Sequence, residues 1–481
     1  VMNYKGWTAS LTLVALLGSS QGTWAATVGA DDIPEGSQLV NLGSLERDYS
    51  QATIEGPLTY KGAEIASVYG DGIQPSVLVL TYPKPIRAKD LTTDTFQVEG
   101  KTVSYVWGMN SQPDASLLAN LAQSTDQVAE DPDKTFSAVQ AMNALEGDGP
   151  YVVLLLEHKD VNSASGKGAS QAPAVVNGQV PDLSVTIKQV GNVVGLDGVV
   201  YEPNTTGVLV KDVTIPELDA FKQEVFRDSS TAIDLPYNIF SPANLDRSKK
   251  YPLVLFLGPM GMSDDVKTPL YSGNGATIWT SQEEQAKHPS FVIAPYYTKD
   301  LANRFGALSG TLDKTNPALT SLESFINQIS LGLPVDKKRM YVVAQGEGNQ
   351  ILAALVGKNP KLFAAQFRID GQGHMENLGN SSKVWSITSQ TPEANQEING
   401  LSLVSQPSKR DKVGLAGVLM SASRVWDPSS TKDQFDGLVQ ADLAQNKMIQ
   451  STLLAGGGTF ATASVAYKIQ GIRNWLFEQH K

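Results

Sequence analysis

Arg339-Met340-Tyr341-Val342-Val343-Ala344-Gln345-Gly346-Glu347-Gly348-Asn349-Gln350 is the stretch whose reading decides the fold. Its first half is apolar, as a strand buried on both faces should be. Two glycines then break the chain. Gln350-Ile351-Leu352-Ala353-Ala354-Leu355-Val356 follows with helix-forming residues. A strand turning sharply into a helix is the repeating step of a doubly wound α/β domain. Working outward, Tyr251-Pro252-Leu253-Val254-Leu255-Phe256-Leu257 is a nearly continuous apolar strand. Further strands are predicted over 339–343, 417–422 and 449–454, with 291–294 another and 363–369 a helix end running into one. Helices are predicted over 278–287, 319–331, 350–356, 433–446 and 466–478. A hairpin (221–226 with 235–240) precedes them. The expectation is one doubly wound α/β domain over 216–481.

The N-terminal half has a different grammar. Short strands are predicted over 63–69, 76–82, 96–99, 102–107, 151–157, 184–190 and 207–213. Turns such as Gly70-Asp71-Gly72 and Pro83-Lys84-Pro85 separate them. That spacing predicts a β-sandwich over 61–215. Residues 115–145 are helix-prone and charged, and read as an insertion on it. Residues 26–60 are rich in Gly, Asp, Ser and Gln and read as an arm. Residues 1–25 carry Lys5, an uncharged run and a small-residue end at Ala25, the pattern of a secretory signal peptide. Cleavage there leaves no transmembrane anchor and implies a secreted, periplasmic or cell-surface protein.

Composition narrows the function. The chain has 481 residues, 41% hydrophobic and 18% charged, with a formal net charge of −11. The acidic balance argues against nucleic acid as a partner. The absence of cysteine excludes disulfides and thiolate metal sites.

The run Leu235-Pro236-Tyr237-Asn238-Ile239-Phe240-Ser241-Pro242 leads into Lys249-Lys250 and the apolar strand. Gly275-Ala276-Thr277-Ile278-Trp279 follows, and then Gln285-Ala286-Lys287-His288-Pro289-Ser290-Phe291-Val292-Ile293-Ala294-Pro295. These runs resemble secreted two-domain esterases of the α/β-hydrolase superfamily, related to polyhydroxybutyrate-depolymerase-like and feruloyl-esterase-like enzymes. Val68-Tyr69-Gly70-Asp71-Gly72 and Leu91-Thr92-Thr93-Asp94-Thr95-Phe96-Gln97-Val98 resemble their immunoglobulin-like N-terminal domain. The resemblance implies a doubly wound α/β-hydrolase domain preceded by an immunoglobulin-like β-sandwich.

It also implies a catalytic set, which this chain has altered. The family's nucleophile is the serine of a Gly-x-Ser-x-Gly elbow. Here the elbow is Ala344-Gln345-Gly346-Glu347-Gly348, and Gly346 stands at the serine. A glycine cannot form an acyl-enzyme, but it takes positive φ without strain. A dinucleotide-binding glycine loop is the rival reading; the third glycine is missing and the strand falls too late in the domain. The family's oxyanion loop ends in His-Gly. Here it runs Gly258-Pro259-Met260-Gly261, and Pro259 has no N–H to donate. The family's histidine base falls at Thr459, in Gly456-Gly457-Gly458-Thr459-Phe460, and threonine is no general base near neutral pH. Asp427 of Trp426-Asp427-Pro428 fits the family's orienting acid, with a turn cap before Ser429 as the equal alternative.

Of the four histidines, His158 reads as a surface strand residue, His288 as a helix cap and His480 as tail. His374 is the weak catalytic candidate. With Glu347 and Asp370 it could form an acid–base or metal-binding cluster; its plainer reading is a polar loop at the sheet edge. No metal or cofactor is expected. The remaining pocket is expected to be lined by Gly258, Pro259, Met260, Gln345, Glu347 and Asp370. The leading expectation is a non-catalytic homologue with a binding, adhesion or assembly role, its partner a protein or glycan ligand, with self-association open. The alternative is a carboxylic-ester hydrolase with a relocated catalytic set. A third reading makes Tyr105, Trp107 and Tyr151 an aromatic binding platform, with core packing their plainer role.

Overall fold

Glycine and proline turns cut the N-terminal third into short strands that pair as two facing sheets. In the computed structural model the described residues are 54–55, 60–126, 131–158, 182–261, 263–306, 315–370, 382–389, 424–455 and 459–481. The predicted signal peptide, His374 and the predicted strand over 417–422 lie outside them. The strands are β1 (Ile54–Glu55), β2 (Lys61–Tyr69), β3 (Gly72–Ile86), β4 (Phe96–Val98) and β5 (Val103–Met109). Then come α1 (Ala115–Ser124), α2 (Pro132–Leu145), β6 (Gly149–Leu156), β7 (Val185–Gln189), β8 (Val193–Val194), β9 (Val200–Tyr201), β10 (Asn204–Val210) and β11 (Val213–Thr214). One sheet has the order β1-β10-β7-β4 and the other β11-β2-β3-β6-β5. Leu78, Leu80, Val152, Ile187 and Val208 fill the space between them.

Two expectations change here. The predicted arm over 26–60 contributes an edge strand, because Ile54 and Glu55 pair with Val210 and Leu209. Backbone pairing at an open sheet edge needs no hydrophobic signature. The insertion is two helices. Asp114 accepts from the Leu117 N–H at 2.9 Å and caps α1; Asp131 caps α2, which opens on Pro132. Leu118, Leu121 and Ala122 of α1 and Met142 of α2 pack on the outer face of β2, β3 and β6. Trp107 is buried beneath them and donates its indole N–H to Asn143 Oδ1 at 2.8 Å. Tyr105 stacks on Trp107, and Tyr151 packs against the same cluster. The supposed aromatic platform is therefore the seat of the insertion.

The second half begins with α3 (Pro216–Asp219), β12 (Lys222–Asp228), β13 (Ile233–Phe240), β14 (Tyr251–Leu257), α4 (Thr268–Tyr271), α5 (Gln282–Lys287), β15 (Phe291–Pro295), α6 (Lys299–Arg304) and α7 (Pro317–Gly332). It continues with β16 (Val335–Gln345), α8 (Gly348–Lys358), β17 (Ala365–Ile369), β18 (Lys383–Ser389), β19 (Arg424–Trp426), α9 (Lys432–Leu443), β20 (Ile449–Leu454), α10 (Thr459–Ala466) and α11 (Gln470–Phe477). These strands form one sheet, β12-β13-β15-β14-β16-β17-β18-β20-β19. From β15 to β19 every neighbouring pair is parallel; β12 and β13 form an antiparallel hairpin at one edge. Alternate residues of β16 serve opposite cores: Tyr341 and Val343 face α10 and α11, while Val342 and Ala344 face α7 and α8. Among the described residues no helix is long and apolar enough to cross a membrane.

The two halves interlock. The β2–β3 turn lies on α10, so close that a Cβ at Gly70 would fall 2.2 Å from the Ser464 Cα. Val68 and Ile73 beside this turn share a core with Phe256 and Tyr467. The insertion adds polar links, with Lys134 paired to Glu283 at 2.5 Å and Asn120 donating to Gln282 at 2.9 Å.

Candidate functional site

β16 delivers the chain to the carboxyl edge of the sheet, where it reverses into α8. The reversal passes through Gly346 at φ 54°. That left-handed conformation is strained for a residue bearing a Cβ and natural for glycine. The Gly346 N–H donates to the Ile369 carbonyl at 3.1 Å. Its own carbonyl accepts from the Asn349 N–H at 3.0 Å and from Asn349 Nδ2 at 3.2 Å. Asn349 Nδ2 also reaches the Ile369 carbonyl at 3.1 Å, tying the turn to β17. Gly348 opens α8 directly against β14, where a Cβ would lie 1.9 Å from the Leu257 carbonyl oxygen. The turn has the backbone of a strand-to-helix elbow, with no side chain at its apex.

The sheet's register sets the other positions along the same edge. Gln345 pairs with Ile369, Ile369 with Ile387, Ser389 with Leu454 and Leu454 with Trp426. Asp370, Asp427 and the approach to Thr459 therefore follow the carboxyl ends of neighbouring parallel strands, as Gly346 does. Each acid is occupied. Asp427 is exposed, and its Oδ1 accepts from the Ser429 N–H at 2.9 Å and the Ser429 hydroxyl at 2.7 Å. Those bonds hold its carboxyl below the usual range. This is the capping arrangement of the two readings. Asp370, at φ 43°, accepts from the Ser389 N–H and hydroxyl. Thr459 begins α10. His374, the remaining member of the suggested cluster, falls outside the described residues. Among the described residues no three His, Asp or Glu side chains are grouped to hold a metal ion.

Three residues expected to line a pocket are packed instead. Gln345 is 1% exposed, and its Oε1 accepts from the Tyr467 hydroxyl at 2.9 Å. Met260 is 5% exposed and belongs to the core under α7 and α8. Gly258 is buried against the Phe256 ring. The loop after β14 folds inward because Gly261, at φ 67°, turns its N–H to the Tyr297 carbonyl at 3.1 Å. Pro259 is half-buried and Glu347 exposed. Tyr467→Phe is expected to cost about 1–3 kcal/mol in urea unfolding, because it leaves the buried Gln345 amide with no partner for its oxygen.

The sequence reading misplaces His158. It is buried, with Nδ1 3.0 Å from Asp126 Oδ1 and Nε2 3.0 Å from Asp71 Oδ1. Tyr69 stacks on the ring at 3.8 Å between centroids. Burial alone would lower the imidazole, but bonds to Asp126 and Asp71 reverse this and hold it up at about 9. Asp126 in turn pairs with Lys468 of the second half at 2.7 Å. With both nitrogens on carboxylates the ring has no free position to act as a base. Its sequence neighbours carry no hint of these partners; only the short turn bearing Asp71 was a usable signal.

The comparisons with known proteins fit this geometry. Residues 63–202 match the family model of the esterase Ig-like N-terminal domain. A crystal structure of a thermostable esterase is similar over 87% of this chain and 99% of its own, at 20% identity and a TM-score of 0.58. At that identity the shared property is the fold. An S-formylglutathione hydrolase from Staphylococcus aureus overlaps 54% of this chain and 96% of its own, at 10% identity and a TM-score of 0.34. A feruloyl esterase module from Clostridium thermocellum overlaps 52% and 86%, at 11% identity and a TM-score of 0.34. Overlap at those scores carries no functional argument. No curated protein matches the sequence. The chain thus joins an immunoglobulin-like domain of the esterase N-terminal type to a second domain with the α/β-hydrolase fold.

Proposed function

We propose that the protein is an exported, non-catalytic α/β-hydrolase homologue that works by binding, in adhesion or assembly at the cell surface or in the periplasm, with a protein or glycan as ligand. The observation that carries this reading is Gly346 at the apex of the elbow, at φ 54°. Acyl transfer needs a nucleophile there, and loss of a single member of a serine triad costs several orders of magnitude in rate. Two further features support it. Pro259 offers no N–H to an oxyanion, and Asp427 is engaged by Ser429. The export part rests on the composition of residues 1–25.

Hydrolysis of p-nitrophenyl butyrate by the purified chain tests the reading. The expected rate is that of heat-denatured protein. The double variant Gly346→Ser/Thr459→His is expected to stay at that level, since the oxyanion loop and the orienting acid are not restored. Turnover by the parent chain above the denatured control would overturn the reading in favour of a relocated catalytic set.

A further inference from the structure

Away from the elbow, the two halves line a half-open cavity of about 850 Å3 between α1, α3, the turn Thr277–Thr280 and α9. Gly258, Gln345, Gly346, Asp370 and Asp427 take no part in its wall. Polar groups without partners do. Asn274 is 1% exposed, and among the described residues neither its Oδ1 nor its Nδ2 has a hydrogen-bond partner. Thr277, 3% exposed, has an unpaired hydroxyl. Glu217 lies on the same wall; its Oε1 accepts from Gln123 at 3.3 Å, and the Ser67 hydroxyl and Val68 N–H also help to hold its carboxyl group. The helix bearing Glu217 packs on the turn bearing Thr277, so these groups belong to one wall. An unpaired buried polar group destabilises the fold, and a complementary ligand would recover that loss.

Charge selects the ligand. Every lysine or arginine on the wall already has a carboxylate: Lys134 and Lys287 share Glu283, Lys432 has Asp436, Lys468 has Asp126 and Arg473 has Glu284. Among the described residues Glu217 forms no ion pair, and burial pushes its carboxyl up to about 7. The wall therefore carries one carboxyl without an ion-pair partner, together with an amide that both donates and accepts. Val68, Leu117, Ile278 and Phe435 supply apolar wall.

We infer that this cavity binds a small organic ammonium compound carrying an amide and an apolar side chain, the chemistry of an amino-acid amide or a peptide N-terminus. The ammonium faces the Glu217 carboxyl group. The ligand's C=O accepts from Asn274 Nδ2 and its N–H donates to Asn274 Oδ1. The Thr277 hydroxyl closes the polar end, and the side chain rests on Val68 and Ile278. Loss of catalysis plays no part in this assignment, since cavity and elbow share no residue.

Isothermal titration calorimetry of the full chain with L-leucinamide tests it. Saturable binding is expected, and N-acetyl-L-leucinamide, which lacks the cation, is expected to bind at least about tenfold more weakly. Asn274→Leu and Glu217→Gln are each expected to weaken L-leucinamide binding by about tenfold. Absence of saturable heat in the millimolar range would overturn the assignment. So would equal binding of the acetylated compound, or undiminished binding by Glu217→Gln. Glu217→Gln is isosteric, so it decides the matter even if Asn274→Leu fails to fold.

Discussion

Replacing His158 by alanine is expected to cost the fold about 3–5 kcal/mol, read as a fall in the urea midpoint. The ring is the cation between Asp71 and Asp126, each 3.0 Å away and each buried. Without it two buried carboxylates face one another across a void. Asp126 keeps Lys468 and Asp71 keeps Gln74 at 2.6 Å, which limits the loss without cancelling it. The cost should fall on domain coupling as well as on the sandwich, because Lys468 belongs to the second half.

The same group gives a pH signature. The His158 pKa rises from 6.5 to about 9 on folding, so the folded state holds the proton more tightly. Its stabilisation is full below pH 6.5 and is lost as the pH rises through about 9. Glu64 acts in the same direction over a lower window. Burial pushes its carboxyl from 4.5 up to about 8, so ionising it in the fold also costs stability as the pH rises. His158→Gln is therefore expected to flatten the upper part of the stability curve and leave the lower part. Equal slopes for parent and variant above pH 6.5 would contradict the ion-pair account.

Gly348→Ala is expected to leave little folded protein, a loss of more than about 3 kcal/mol. The added Cβ would lie 1.9 Å from the Leu257 oxygen and 2.6 Å from its carbonyl carbon. Both are backbone atoms of a central strand, so neither can rotate aside as a side-chain tip would. Gly437→Ala is the contrast. It lies exposed on α9, and its Cβ would meet nothing within 4 Å. Helix propensity predicts a gain there of about 0.5–1 kcal/mol. Thermal unfolding of the two variants side by side separates steric demand at the elbow from a general intolerance of alanine.

Much of this architecture is legible from residues alone. Tyr251–Leu257 is an apolar run with clear ends, and both it and the strand expected over 449–454 form with those bounds. The elbow reads from two glycines between an apolar strand and a helix, and the structure explains both: Gly346 by positive φ and Gly348 by contact with β14. β18 does not declare itself. Lys383-Val384-Trp385-Ser386-Ile387-Thr388-Ser389 alternates, a pattern of half-solvated strands, although it lies inside a parallel sheet. The helix read over 466–478 forms as α11, Gln470–Phe477, while the sequence reading misses α10, Thr459–Ala466, just ahead of it. The losses at Gly346 and Pro259 are visible because a missing side chain or N–H is a property of the residue itself. The burial of Gln345 and Met260 is not, because it depends on Tyr467 and on the core under α7. His158 is the extreme case: its partners stand 87 and 32 residues away, and no local pattern brings them to it.

The central claim is that the elbow presents no nucleophile. Intact-mass spectrometry of the folded chain after treatment with a fluorophosphonate tests it most directly, since that reagent reports an activated serine without requiring a known substrate. The account predicts unchanged mass for the parent chain. A stoichiometric adduct, lost on prior heat denaturation and mapped to a serine, would contradict it.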